Sequence, residues 1–196
     1  MSDTNPRSPA VFLDLKLQSK TALQKEIGWP KEPKRALVCL PAGMTDALGG
    51  KLLEETLPGI LSLPVEMLIL GKGAANYGAL FTKLTKEYGH RFHIVPDTED
   101  AVAKMYAAAD MAMFFSEELP ERELKVCLGS GVVPVSMPHT LLDDYNAVQE
   151  TGNAFIYESE TKWHAFAALV RALETHKFPF DFKTIQRHCL ETVSHA

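Results

Sequence analysis

The sequence predicts an α/β fold of three layers, a Rossmann-like doubly wound parallel sheet with helices on both faces. Three observations carry this. Short apolar runs alternate with longer amphipathic segments between residues 67 and 145. The runs stop at turn-forming residues, as where Leu70 meets Gly71-Lys72-Gly73 and Val95 meets Pro96. The acidic stretch Asp97-Thr98-Glu99-Asp100 then offers capping groups for a helix. In such sheets ligands bind outside the carboxyl ends of the strands. The residues just after Leu70 and Phe115 are therefore the expected site.

The elements follow in order. Residues 1–14 read as a flexible leader, polar at first and carrying Pro6 and Pro9. Residues 15–196 form the expected domain. Residues 16–27 predict a helix ended by Gly28-Trp29-Pro30. The apolar run 36–40 is the first strand, and 41–50 a turn-rich link. Leu48, Leu52, Leu53, Thr56, Leu57, Ile60 and Leu61 recur at helical spacing. Strand two covers 65–70. A helix over 75–88 stops at Gly89. Residues 92–95 form strand three, and a helix runs from the acidic cap through Ala107. Residues 111–115 form strand four, and 121–128 a helix ended by Gly129-Ser130-Gly131. Residues 132–136 form a short strand that Pro134 marks as irregular or near an edge. Residues 154–157 form the last strand. In the helix over 161–175, Trp163, Phe166, Leu169, Val170 and Leu173 are the expected inner stripe. A final helix covers 182–193.

The bulk numbers narrow the function classes. The chain has 196 residues, 46% of them hydrophobic, enough for one sizeable core. A net charge of −5 argues against general affinity for nucleic acid or acidic membrane. No apolar run reaches bilayer length, and no signal-peptide pattern opens the chain. Cys39, Cys127 and Cys189 are an odd, widely spaced set, two of which sit in apolar contexts and read as packing residues of a reducing compartment, so the cytoplasm is the expected location. The seven histidines show no metal-ligand spacing. Cys127 lies close to several carboxylates, which disfavour a thiolate nucleophile. Ser116 and Ser136 lack the nucleophile-elbow pattern.

Several short motifs then resemble one family. Lys20-Thr21-Ala22-Leu23-Gln24-Lys25-Glu26-Ile27-Gly28-Trp29 is similar to the lysine, Leu-Gln, Glu-x-Gly-Leu run that opens the C-terminal half of bacterial glycogen and starch synthases. Leu68-Ile69-Leu70-Gly71-Lys72-Gly73 resembles that family's strand and Gly-x-Gly. Met105-Tyr106-Ala107-Ala108-Ala109-Asp110 resembles its Tyr-Ala-Gly-Ala-Asp segment. Gly131-Val132-Val133-Pro134-Val135 is similar to its Gly-Thr-x-Pro-Val. Thr151-Gly152-Asn153-Ala154-Phe155 is similar to its Thr-Gly-Phe-x-Phe. The tail over 182–194 resembles its tail helix. Order and spacing match from residue 15 onward.

The resemblance implies one half of a GT-B retaining glycosyltransferase. In that family the donor lies between two Rossmann-like halves, and the C-terminal half grips the nucleotide and phosphates. The implied ligand residues here are Gly71, Lys72, Gly73, Ser116 and Glu118, with Glu118 the one catalytic candidate. The implied donor is ADP-glucose or UDP-glucose, with no other cofactor and no metal. The family's donor-loop arginine falls on Gly43 and its lysine on Leu48; only Gly49 of that pattern persists, with Lys51 nearby. The family's Glu-Pro-x-Gly-Leu turn becomes Ser116-Glu117-Glu118-Leu119-Pro120-Glu121, with a carboxylate in place of the glycine. Its Thr-Gly-Gly-Leu loop becomes His139-Thr140-Leu141-Leu142, and 141–144 reads as a short helix start. A leaving diphosphate needs cations or oriented N–H groups, and this mouth is acid-rich. Gly71-Lys72-Gly73 reads either as a loop approached by a base or ribose, or as a plain strand-to-helix turn.

Three functions from different classes follow. One is a non-catalytic binding or interaction module, a pseudoenzyme. Another is a subunit of a split glucosyltransferase completed by a separate N-terminal half. The third is a fragment of a longer parent, against which the initial methionine and polar leader argue. Expected partners are a nucleotide sugar, a glucan, a separate N-terminal half or a second copy.

Overall fold

The computed structural model describes residues 9–194. The chain runs α1 (Pro9–Glu26), β1 (Leu37–Leu40), a 3-10 turn (Asp46–Leu48), α2 (Gly50–Ser62), β2 (Glu66–Leu70), α3 (Ala75–Glu87), β3 (Phe92–Val95) and α4 (Glu99–Ala108). It continues with β4 (Met111–Met113), α5 (Glu121–Gly129), β5 (Val133–Ser136), β6 (Phe155–Ile156), α6 (Lys162–His176) and α7 (Pro179–Ser194).

All six strands join one parallel sheet in the order β3-β2-β1-β4-β5-β6. This is a doubly wound order, and the winding direction reverses between β1 and β4. Helix α1 packs on α4 and α7, α5 on α7, and α2 on α6. β1 and β2 are buried along their whole length, as expected of strands covered on both faces.

Several local expectations are corrected. Helix α1 begins at Pro9, so residues 9–14 leave the expected leader; residues 1–8 lie outside the described residues. Its inward stripe is polar: Lys16, Lys20 and Gln24 are buried at four-residue spacing. Apolar periodicity could not find such a start.

As expected of a strand carrying Pro134, β5 lies near an edge, covered on that side only by the two-residue β6. Val133 donates to the β4 side, at Asp110 O, so the proline nitrogen faces the β6 side. Pairing with β6 begins only at Val135, so no ladder bond is lost there.

Trp163 is 72% exposed and is not core. The buried face of α6 is Ala165, Ala168, Leu169, Ala172 and Leu173. That stripe is in phase with itself, and Trp163 falls outside it. Small residues on it let α6 approach its neighbours, and the Phe166 ring, half-buried, leans on Gly59 of α2.

Residues 141–144 form the end of a turn and an isolated bridge at Asp144, not a helix start. The strands expected over 111–115 and 154–157 are shortened to β4 and β6, although Phe114 N still donates to Val135 O at 3.0 Å.

Candidate functional site

The reversal between β1 and β4 defines where a ligand should enter. The mouth is built by the link after β1, the turn after β4, and the loop after β2. Gly71, Lys72 and Gly73 are exposed on the last of these. Their loop is stitched to the link after β1: Met44 N donates to Lys72 O at 3.0 Å, and Ala74 N to Met44 O at 2.9 Å. A Cβ on Gly43 would run into the Lys72 carbonyl, and one on Gly73 into the Met44 carbonyl. Both glycines have positive φ, +72° and +120°. Gly43 and Gly73 are thus required by loop-to-loop packing.

The other flank is equally tight. Gly49 lies on the Phe115 carbonyl, and the space enclosed by Gly43, Met44, Leu48, Phe115, Ser116 and Pro120 is only about 10 Å³. That is at the lower limit for one water. The link after β1 therefore lies between the Gly71–Gly73 loop and the Ser116–Glu118 turn, and the predicted residues form two separate groups.

The start of α2, the helix that would aim its dipole at a phosphate, is covered. The buried Tyr77 ring packs against Gly50, and its hydroxyl donates to Asp46 Oδ1 at 2.6 Å. That hydrogen bond, with burial, pushes the Tyr77 phenol up to about 12.

After β4, Ser116 is buried and donates its hydroxyl to Glu118 O at 2.8 Å. The Glu118 side chain stands in solvent. Glu121, at the first turn of α5, pairs with Lys125 at 2.6 Å, and this bond holds its carboxyl below the usual range. Cys127 is fully buried, and burial foremost pushes its thiol well up. Burial, more than nearby carboxylates, makes it inert.

Three consecutive N–H groups of the 139–144 turn, those of Leu141, Leu142 and Asp143, are used internally. Leu141 N donates to His139 Nδ1 at 3.2 Å and Leu142 N to His139 O at 2.9 Å. Asp143 N donates to Asn153 Oδ1 at 2.9 Å. Asn153 also donates from Nδ2 to Leu141 O and Thr192 Oγ1, both at 2.9 Å. Asn153 belongs to the Thr-Gly-Asn-Ala-Phe motif, so that motif holds the turn shut from behind. Among the described residues, no group of three or more His, Cys, Asp or Glu side chains is placed to hold a metal ion.

A buried polar cluster at the opposite, amino end of the sheet escaped the sequence reading. Lys20 Nζ reaches Asp110 Oδ2 at 2.6 Å and the Pro33 and Arg35 carbonyls. Gln24 Nε2 reaches Glu66 Oε2 at 2.7 Å. Its signal was the four-residue spacing of Lys16, Lys20 and Gln24.

No family model matches the chain. It is similar to the glycogen synthase of Streptococcus equi subsp. equi, 28% identical over 197 residues, covering 95% of this chain and 41% of that protein. The glycogen synthase of Thermosipho melanesiensis is 27% identical over 177 residues, covering 84% and 36%. The chain therefore spans about two fifths of the length of the curated relatives it matches. The catalytic domain of starch synthase IV from Arabidopsis thaliana bound to ADP and acarbose superposes with a TM-score of 0.70 at 18% identity, over 89% of this chain and 38% of that one. The C-terminal domain of a group 1 glycosyl transferase from Francisella tularensis gives 0.67 at 11% identity, over 90% and 91%. An Anabaena protein in complex with UDP and glucose gives 0.68 at 14% identity, over 91% of this chain and 48% of that one. The Rossmann-like fold of one GT-B half is thus established. The resemblance to the C-terminal half of glycogen and starch synthases extends over most of the chain.

Proposed function

We propose that this glycogen- and starch-synthase-like domain no longer transfers sugar and acts as a cytoplasmic binding or interaction module. One observation carries the reading: the N–H groups of Leu141, Leu142 and Asp143 are all donated internally. A leaving diphosphate gains its stabilisation from donors that are free and aimed at it. The donor-loop positions support the same conclusion. Gly43 leaves no room for a side chain of any kind, and Leu48 offers no charge. Purified protein incubated with ADP-glucose or UDP-glucose and a glucan should release no ADP or UDP above the buffer rate. Release that scales with protein concentration would overturn the reading.

The alternative is the split transferase, a donor-binding half completed by a separate N-terminal domain. It is favoured by relatives bound to ADP, and to UDP and glucose, and by the exposure of Glu118 and Lys72. Under it, calorimetric titration with ADP or UDP gives saturable binding that Lys72→Ala weakens. The module reading expects weak affinity for either nucleotide at best.

A further inference from the structure

The largest unexplained feature lies at the amino end of the sheet, away from the mouth just described. A cavity of about 540 Å³ opens between α1, the Pro33–Lys34 segment and the α6–α7 corner. This is within the range of small-molecule sites. We propose that it binds a small organic phosphate, with Lys16 and Lys34 among its lining residues.

Lys16 is only 6% exposed, yet its ammonium makes no ion pair with any described carboxylate. Its contacts are neutral: it donates to Tyr106 O at 2.8 Å and Ala107 O at 3.5 Å, at the end of α4. An ammonium has three N–H donors, and a buried cation without a counter-charge is costly. Burial lowers its basicity to about 8, with Asp110 acting against that from a distance. It therefore remains mostly protonated at neutral pH.

The other charges of the cavity are largely accounted for. The Asp110 carboxylate on its wall is engaged by Lys20, His176 and the Leu37 N–H. Lys183 pairs with Asp14 at 3.2 Å and Lys177 with Glu174 at 2.6 Å. Lys34 makes no ion pair among the described residues. Lys16, buried, and Lys34, at the entrance, thus both line this space without an ion pair among the described residues. An anion with two charges matches them. The phosphoryl group alone would leave most of the cavity empty, and its apolar walls, including Leu17 and Phe182, suit a carbon skeleton.

The test is a heteronuclear NMR titration of the full chain with inorganic phosphate, ribose 5-phosphate, and ribose as the uncharged control. Saturable shifts at Lys16, Lys34 and His176 are expected for both phosphates, tighter for ribose 5-phosphate, with a dissociation constant of about 1 mM or below. Lys34→Glu, on an exposed loop, should weaken binding at least about tenfold. Lys16→Met should do the same. If it fails to fold through loss of its contacts with α4, Lys34→Glu decides. Lys72→Ala, at the other end of the sheet, should leave binding unchanged, which separates this site from the nucleotide reading. No saturable shift by about 20 mM phosphate, equal binding of ribose, or undiminished affinity in Lys34→Glu would overturn the proposal.

Discussion

Lys20 Nζ lies 2.6 Å from Asp110 Oδ2 although the two residues are separated by ninety positions. The same oxygen accepts the Leu37 N–H at 2.8 Å. One carboxylate thus ties α1 to the amino ends of β1 and β4. Both partners belong to motifs that carry the resemblance to glycogen and starch synthases. Here those motifs serve folding, at the end of the sheet away from the candidate mouth. Resemblance along most of the chain can thus reflect shared folding contacts, whatever the loops at the carboxyl ends of the strands do.

Removing either partner should be severe. Lys20→Met or Asp110→Asn should each cost about 3–5 kcal/mol in urea unfolding, because a buried charge loses its mate. The double variant Lys20→Met/Asp110→Asn should recover part of that cost. The acid limb supplies a second readout. Burial alone would raise the Asp110 carboxyl, but Lys20 and His176 overrule it and hold it well below the usual carboxylate range. A depressed folded value contributes stability above the ordinary value of about 3.9, lost as pH falls through the folded one. The native chain should weaken below about pH 4 in a way that Asp110→Asn does not.

Glu66 behaves oppositely. It is buried at the start of β2, with Oε2 held by Gln24 and Oε1 without a hydrogen-bond partner in the structure. Burial raises its carboxyl above the usual value, against the pull of Gln24 and Lys20. The folded state therefore holds this proton more tightly than the unfolded chain. That contribution is full below the unfolded value of about 4.3 and is lost as pH rises through the folded one. Glu66→Gln should raise stability at pH 7 by on the order of 1 kcal/mol and flatten the curve above pH 5, as read by denaturant midpoints across pH. A loss at pH 7 would show that the charge has an unseen mate.

The sheet was legible because its strands are apolar runs punctuated by glycine and proline, and a parallel order followed from their alternation with helices. The mouth was legible only in part. Counting placed the donor arginine on Gly43, but sequence could not show that the Lys72 carbonyl fills the space of its side chain. Nor could it show that Asn153 reaches back to close the 139–144 turn. Both are contacts between segments distant in sequence. Trp163 was misplaced because a large aromatic near the start of an amphipathic helix resembles core, whereas the buried stripe of α6 is mainly alanine.

Exposure makes Trp163 a clean control. Trp163→Ser should change stability by no more than about 0.5 kcal/mol, against about 3–5 kcal/mol for truncating a core tryptophan. Thermal melts with intrinsic fluorescence would distinguish the two. The indole emission should already be that of a solvated ring, with Lys162 Nζ 5.3 Å from its centre.

Restoring the family's donor-loop pattern should fail at one position and be tolerated at the other. Leu48 is half-buried on a 3-10 turn, so Leu48→Lys can turn its charge outward and should fold with a modest loss of about 1 kcal/mol. Gly43→Arg demands a Cβ where the Lys72 carbonyl sits, at a φ of +72°. It should cost about 2–4 kcal/mol, from positive-φ strain together with displacement of the Gly71–Gly73 loop. Gly43→Ala should carry most of that penalty, since the obstacle begins at Cβ. Urea midpoints would rank the three, and hydrogen exchange at Met44 and Ala74 should accelerate only in the Gly43 variants. A Gly43→Arg chain as stable as the native one would mean that the two loops separate at little cost, and that the mouth can open to admit a donor.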